Sequence, residues 1–276
     1  MSWDIFKKKI LITVKTYPTL SSKYDELVCT AWVTEEWEWI RIYPMPFRKF
    51  EDYKQYGKYN WVEIELIKNT SDPRPESYRP FHTPAELQII WEITTWADRK
   101  WTERKQIVLK NVYTDLAQLI KSNKDDTWTS LAIFKPTEIL DFTFEECERK
   151  WDPKKIKIIE KKSKQTNMFE ETKPFKLMPK LPYKFKYVLK DINWVESKMM
   201  LEDWEVWQLF WNCLKDHWTE KLACQKVREK YFDDFAKTKD LHFFLWTSRQ
   251  FDGWSNNPFM IIWTFHPPKD ERLSLF

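Results

Sequence analysis

The stretch LVCTAWVTEEWEWIRIYP, residues 27–44, decides the fold of the first part of the chain. Two apolar, alternating segments flank the polar turn TEEWE, and this pattern predicts an antiparallel β-hairpin. Tight hairpin turns usually need Gly, Asn or Asp, because these residues tolerate a positive φ. Here the turn contains Trp37 instead. A hairpin is therefore expected, and the residue at its bend needs an explanation.

The composition is short of glycine and rich in tryptophan. The 276 residues include 2 Gly and 18 Trp, whereas average usage predicts roughly 19 glycines. Because the two counts together restore an ordinary glycine share, we interpret many tryptophans as standing at glycine positions. The codon UGA is read as glycine in some bacterial lineages and as tryptophan in others, so translation with the wrong table would produce this pattern. A truly tryptophan-rich protein and deliberate substitution are the alternatives.

Sequence context sorts the tryptophans. The strongest glycine candidates lie in polar turns or between helical segments, where we expect a positive φ and an exposed indole: Trp37, Trp128 and Trp218. Weaker candidates are Trp3, Trp32, Trp91, Trp96, Trp194, Trp207, Trp246 and Trp263. Contexts that suit indole surround Trp39, Trp61, Trp101, Trp151, Trp204, Trp211 and Trp254. Of these, Trp39, Trp61, Trp101, Trp204 and Trp211 are expected to be largely buried.

Length and charge bound the class of protein. A chain of 276 residues suggests two domains with enough apolar material for buried cores. No apolar run reaches the length of about 18 residues that a membrane span needs, so no membrane contact is expected. The 4 cysteines show no CxxC spacing, which favours reduced thiols and a cytoplasmic protein. The net charge of +4 is too small to prove a nucleic-acid partner.

The predicted fold class is α+β. Residues 1–150 are interpreted as a mainly β domain with short helices, including strands near 8–16, 27–34, 38–44 and 60–67. Residues 151–182 are rich in Lys and Pro with weak periodicity, which predicts a linker. Residues 183–276 are interpreted as an α+β domain of one strand, two helices and two further strands.

Several stretches resemble a family of uncharacterised bacterial and archaeal proteins: KILITVKTYPTLSSKYDELVCTAWV, WIRIYPMPFRKF, DPRPESYRP, EDWEVWQLFW and NPFMIIWTFHPPK. In that family glycine stands where this chain has Trp32, Trp37, Trp207 and Trp263. The resemblance spans nearly the whole chain and supports the glycine interpretation, but it implies no activity. It also implies a cysteine pair before the DWE motif. This chain has LKDINWVESKMM there without cysteine, so no metal knuckle is expected.

Arginines with interleaved aromatic residues mark the first half of the chain. Guanidinium groups bind phosphates in a forked geometry, and unpaired bases stack on aromatic rings. The predicted nucleic-acid-binding residues are Arg41, Tyr43, Phe47, Arg48, Arg74, Arg79, Arg104 and Lys105. We expect Arg41, Arg48, Arg74 and Arg79 to lie on one side of the first domain, with at least two of them lacking a carboxylate partner. Pairing of these arginines with nearby Asp and Glu residues is the alternative.

Candidate catalytic residues are Asp203, Glu205 and Arg249. The two carboxylates lie at a helix start, where they could act as general acid and base or bind a metal. The alternative is helix capping, with Asp203 as the cap and no convergence of ligands around it. The 4 histidines lack a metal-ligand spacing, so neither a metal nor a cofactor is expected.

Two function classes remain open from the sequence, with an interaction scaffold as a third. The first is a module that binds nucleic acid or a nucleotide phosphate through the Arg and aromatic surface of the first domain. The second is a metal-dependent phosphoryl-transfer enzyme or nuclease that uses Asp203 and Glu205. Arginines on one uncompensated face would favour binding, and carboxylates that converge in a pocket would favour an enzyme.

Overall fold

A computed structural model shows the architecture of the chain. It describes residues 4–16, 19–21, 25–45, 57–82, 87–94, 100–125, 127–166, 178–216, 219–248 and 255–269. Within these ranges two seven-stranded sheets are present, one after the other along the chain.

The first sheet forms a barrel-like unit. Its strands are β1 (Phe6–Lys15), β2 (Thr19–Ser21), β3 (Asp25–Thr34), β4 (Trp39–Met45), β5 (Asn60–Lys68), β6 (Ser77–Pro80) and β7 (Leu87–Glu92), followed by helix α1 (Lys100–Val108). The strand order is β1-β3-β4-β6-β5-β7, and β1 also pairs with β5. Five strands therefore close on themselves, and β3 and β4 form the predicted hairpin.

The second sheet carries most of the helices. Its strands are β8 (Val112–Tyr113), β9 (Leu131–Phe134), β10 (Glu138–Glu146), β11 (Tyr183–Lys190), β12 (Glu196–Leu201), β13 (His242–Thr247) and β14 (Phe259–Phe265). The order is β10-β11-β12-β14-β13-β9-β8. The helices are α2 (Leu116–Lys124), α3 (Pro153–Thr166), α4 (Trp204–Lys215) and α5 (Glu220–Arg228), which continues as a π-helix, Glu229–Ala236.

The second sheet lies between its helices and the barrel. Successive side chains of a strand point to opposite faces, and β13 shows the result. Phe243 and Leu245 pack in the cluster that includes α2, α4 and α5. Phe244 and Trp246 pack in a cluster that includes Leu11 and other barrel residues. One buried core therefore joins the two sheets.

The predicted fold class is confirmed, but the division of the chain differs from the expected one. The expected first domain, residues 1–150, includes strands β9 and β10, yet these strands pair with β13 and β11 of the second sheet. The sheets therefore divide near residue 110, and the expected linker 151–182 contains helix α3. A Lys-rich composition does not distinguish a linker from a helix, because Lys is also a good helix former.

Three tryptophans have a positive φ, with values of 68° at Trp37, 45° at Trp128 and 60° at Trp194. Their side chains are 38%, 46% and 62% exposed. The expectation for Trp37 and Trp128 is therefore confirmed, whereas Trp218 lies outside the described residues. The expected indole sites Trp39, Trp61, Trp101, Trp204 and Trp211 are half-buried, less than predicted.

Two of these tryptophans occupy the same position of the same turn. In the hairpin β3–β4, Trp37 N–H donates to Thr34 O at 3.0 Å, and Thr34 N–H donates to Glu38 O. In the hairpin β11–β12, Trp194 N–H donates to Asp191 O at 3.0 Å, and Asp191 N–H donates to Val195 O. This is a three-residue hairpin loop whose last residue is left-handed, a position that favours glycine.

Candidate functional site

A charged cluster lies where the barrel meets helix α4. Lys58, just before β5, places its Nζ 2.9 Å from Glu205 Oε1 and 3.5 Å from Asp203 Oδ1. The Asp203 side chain is fully buried, that of Lys58 is 10% exposed, and that of Glu205 is 46% exposed. The cluster is thus closed at Asp203 and open to solvent at Glu205. We call Lys58, Asp203, Glu205, Tyr59 and Trp263 the seam site.

Helix capping fixes the position of Asp203. Its Oδ1 accepts a hydrogen bond from the backbone N–H of Glu205 at 3.2 Å, which caps α4 as predicted. Its Oδ2 accepts one from the Tyr231 hydroxyl at 3.2 Å. The backbone of Asp203 also bridges to Thr16 at the end of β1. The barrel, α4 and the π-helix therefore meet at one carboxylate.

The surroundings of Asp203 and Glu205 give the two carboxylates different pKa values. Burial raises the pKa of Asp203 to about 7, although Lys58 acts in the opposite direction. Burial also raises the pKa of Glu205, but the charge of Lys58 and hydrogen bonds from Lys58 and Trp263 outweigh it, so this pKa lies below the usual value. Neighbouring acids with separated pKa values are typical of acid–base sites.

Buried aromatic rings pack against the charged groups of the seam site. The Trp263 indole Nε1 donates to Glu205 Oε2 at 3.0 Å, and Lys58 Nζ lies 4.3 Å from the indole centroid. The ring of Tyr59 packs 5.7 Å from that indole. Arg104 lies over Tyr59 at 3.7 Å and donates to Ile93 O at 2.6 Å.

Tyr59 is unusual in both its backbone and its side chain. It is 2% exposed and has a φ of 64°. Its buried hydroxyl has no hydrogen-bond partner among the described residues. Backbone strain and an unsatisfied buried polar group are both costly, and both concentrate at functional sites.

Two further basic groups belong to the surroundings. Burial and the nearby charge of Lys58 lower the pKa of Lys15 to about 8. Burial also lowers the pKa of His266 to about 4, although its Nδ1 lies 3.2 Å from Thr264 O. His266 is therefore neutral at pH 7, whereas Lys15 keeps most of its charge.

The structure places two predicted nucleic-acid-binding arginines in the interior. Arg41 is 4% and Arg74 is 6% exposed. Both guanidinium groups donate to Thr247 O on β13, at 3.2 Å and 2.9 Å. Arg74 also binds Asp72 through two nitrogens, at 2.8 Å and 2.6 Å. These two arginines join the sheets, so the prediction that they contact nucleic acid is corrected.

The remaining predicted residues are spread over the chain. Tyr43, Arg79, Arg104 and Lys105 are half-buried, and Arg104 contacts Tyr59 of the seam site. Phe47, Arg48 and Arg249 lie outside the described residues. Sequence reasoning thus found Asp203, Glu205 and Arg104, but it missed Lys58 and Tyr59. The one available signal was Gly57, which marks a turn directly before them.

A groove lies between the barrel and helix α1. This groove has a cavity volume of about 620 Å³ and is lined by Lys9, Glu35, Trp37, Trp61, Ile90, Trp91, Glu103, Gln106, Ile107 and Lys110. Trp37 and Trp91 are both glycine candidates, and without their indoles the groove would lose two walls. The seam site remains the candidate because Lys58 meets the carboxylates of Asp203 and Glu205 there in a largely buried setting.

Within the described ranges, no three Cys, His, Asp or Glu side chains gather closely enough to hold a metal ion. The same part of the chain contains no helix that is long and apolar enough to span a membrane.

The chain matches two families of known sequences. Residues 6–110 match the domain of unknown function DUF8758, and residues 112–276 match the domain of unknown function DUF8757. The boundary between the matches coincides with the division between the two sheets. A comparison with curated proteins gives no match.

Proposed function

We propose that this chain, which belongs to the family of the domain of unknown function DUF8757, binds a phosphate-bearing ligand, a nucleotide or a nucleic acid, at the seam site. The observation that carries the proposal is the local charge. Lys58, Arg104 and Lys15 surround the site, against the carboxylates Asp203 and Glu205. Because the pKa of Asp203 is about 7, that carboxylate is only partly ionised at neutral pH. Three cations around a partly buried site in which one carboxylate is only partly ionised attract anions.

Salt-dependent binding tests this proposal. Labelled RNA, labelled DNA and a mononucleotide are titrated into the full chain over a series of salt concentrations. Each phosphate contact contributes to the salt slope of the affinity. The variants Lys15→Met and Arg104→Met should each reduce the slope by about 1. Lys221→Met, at an exposed position of α5, should leave it unchanged. Absence of binding at low salt, or equal effects of all three variants, would overturn the proposal.

Phosphoryl transfer is the second candidate function, and the separated acidities of Asp203 and Glu205 favour it. A protonated Asp203 and an ionised Glu205 supply an acid and a base on one helix turn. Hydrolysis of labelled nucleic acid is measured with and without Mg²⁺, because the function class that the sequence leaves open is a metal-dependent one. Asp203→Asn should abolish hydrolysis while keeping the helix cap. Equal activity of this variant and the unchanged chain would contradict the assignment.

We further infer that several tryptophans stand at glycine codons read as tryptophan. The inference is supported by the matching turns at Trp37 and Trp194, where a left-handed residue with an exposed indole follows the same hydrogen-bond pattern. Intact-mass measurement of the protein from its natural source tests it. Recoded positions would make the protein lighter by the difference between Trp and Gly at each site. A mass that corresponds to 18 tryptophans would contradict the inference.

A further inference from the structure

The indole of Trp263 fills the space at the centre of the seam site. It is 5% exposed and lies between the aromatic rings of Tyr59, at 5.7 Å, and Phe244, at 5.0 Å. Lys58 lies over its face, and Glu205 accepts its N–H. The register of β13 and β14 shifts next to this position, between Phe244 and Leu245. Glycine is common at such irregularities of a strand, which agrees with Trp263 being a glycine candidate.

The groups around the indole indicate which kind of ligand would fit in its place. They hold a flat, bicyclic ring of two fused cycles by aromatic packing and by a cation over its face. A carboxylate accepts the N–H at the edge of the ring. A purine base is also a flat bicycle, and guanine carries a ring N–H beside an amino group on its pairing edge. Adenine offers only its amino group there.

We propose that position 263 closes a nucleobase pocket, and that glycine at this position opens the pocket to a guanine nucleotide. The inference rests on the proposed phosphate binding and adds the class of base. The base takes the place of the indole, and its ring N–H donates to Glu205 Oε2. The phosphate lies toward Lys15, Lys58 and Arg104. The hydroxyl of Tyr59, which has no hydrogen-bond partner within the described part of the chain, is available to a polar group of the ligand.

The test compares two cavities of similar origin in the full chain. Trp263→Gly removes an indole beside a carboxylate, whereas Trp39→Gly removes one whose ring lies 5.3 Å from Phe244. Calorimetric titration uses indole, guanosine, guanosine 5′-monophosphate and adenosine 5′-monophosphate. Trp263→Gly should bind the guanine nucleotide about tenfold more tightly than the adenine nucleotide, because a hydrogen bond to a charged group contributes about this much. Adding Glu205→Gln should remove the preference.

Three other results of these titrations would overturn the proposal or part of it. Equal guanine binding by Trp263→Gly and Trp39→Gly, or by the unsubstituted chain, overturns the pocket. Binding of indole without binding of either nucleotide overturns the assignment to a nucleobase. If Trp263→Gly does not fold, Trp263→Ala replaces it, and failure of both to fold in the presence of indole also overturns the proposal. Inorganic pyrophosphate reports on the phosphate site alone, so it separates failure of this inference from failure of the proposed function.

Discussion

At the scale of single residues, the left-handed positions fall into two kinds. Tyr59 is buried, and its ring packs against Arg104 and Trp263. This packing offsets the free-energy cost of its left-handed backbone conformation. Trp37, Trp128 and Trp194 are exposed and bury little in return. Lys110 lies 3.8 Å from the ring of Trp37, but such a contact at an exposed site contributes only about 0.5–1 kcal/mol.

Glycine at the exposed left-handed positions should therefore stabilise the protein. Trp37→Gly, Trp128→Gly and Trp194→Gly should each raise the free energy of unfolding by about 1 kcal/mol, because a left-handed residue with a β-carbon costs about this much. Urea denaturation measures the change. Trp39→Gly is the control and should destabilise, because Trp39 is half-buried in β4 without a positive φ. Loss of stability in all four variants would show that the three indoles contribute to packing.

The acidity of Asp203 predicts a pH dependence of stability. Its pKa is about 7 in the folded state and about 3.9 in an unfolded chain. Between these values the folded state binds more protons, so this residue makes the free energy of unfolding fall as the pH rises from about 4 to about 7. Asp203→Asn keeps the helix cap and should remove this part of the decrease. The difference between variant and parent is measured by denaturation across this range.

Asp115→Asn is the matched control for the pH experiment. Asp115 also caps a helix, α2, but its hydrogen bonds from Gln118 and Asn193 lower its pKa. Asp115 therefore stabilises the folded state at pH values above its pKa in the unfolded chain. This contribution is lost as the pH falls through its lower pKa in the folded state. Relative to the parent, the stability of Asp203→Asn should change with pH between about 4 and 7, whereas that of Asp115→Asn should change only below about pH 4 and in the opposite direction. The same trend in both would contradict the assignment of a raised pKa to Asp203.

At the scale of elements, the buried arginines of the barrel hold the end of β13. Arg41 and Arg74 both donate to the carbonyl of Thr247. Arg74 also neutralises Asp72, whose side chain is 9% exposed. Arg74→Ala would remove the cation that pairs with this carboxylate and leave it only the hydrogen bond from Ser77, so it should cost about 3 kcal/mol or more in the free energy of unfolding.

Arg149→Ala provides the comparison for Arg74→Ala. Arg149 pairs with Glu220 at 2.7 Å, but its side chain is 50% exposed, so its loss should cost less than about 1 kcal/mol. Both values come from chemical denaturation of the full chain. Equal costs would show that Arg74 does not join the sheets in the way described.

Most elements could be predicted from the sequence, because their apolar residues follow strand or helix periodicity. The exceptions have local physical reasons. The strand β12 (ESKMML) alternates only weakly, so its pattern does not separate its methionines from the following helix. The pairing of β9 and β10 with the second sheet depends on long-range contacts that no local pattern encodes. The seam site was half predictable, since Asp203 and Glu205 follow from capping chemistry, whereas Lys58 reaches them only through the fold.

At the scale of the whole molecule, the two matched regions share one core. Leu11, Ile93 and Ile107 of the first region pack in the same cluster as Ile133 and Ile262 of the second. Burial of apolar surface contributes roughly 25 cal/mol per Å². Separation of the two regions would expose the apolar side chains of this cluster to water, and much of this stabilisation would be lost. We expect the full chain to unfold in one transition.

Separate production of the two regions tests the shared core. Residues 4–110 and 112–276 should each have a lower melting temperature than the full chain or fail to fold, and they should associate when mixed. Calorimetry measures the transitions, with the full chain as the reference. Two independent transitions in the full chain that match those of the separate regions would contradict a common core.

The proposed function depends on the binding of a phosphate-bearing ligand at the seam site. A crystal structure of the full chain grown with a nucleotide tests it most directly. We expect phosphate oxygens within hydrogen-bond distance of Lys15, Lys58 or Arg104, beside Glu205. A nucleotide bound instead at the barrel groove of Trp61 and Lys110, or on another surface away from α4, would contradict it.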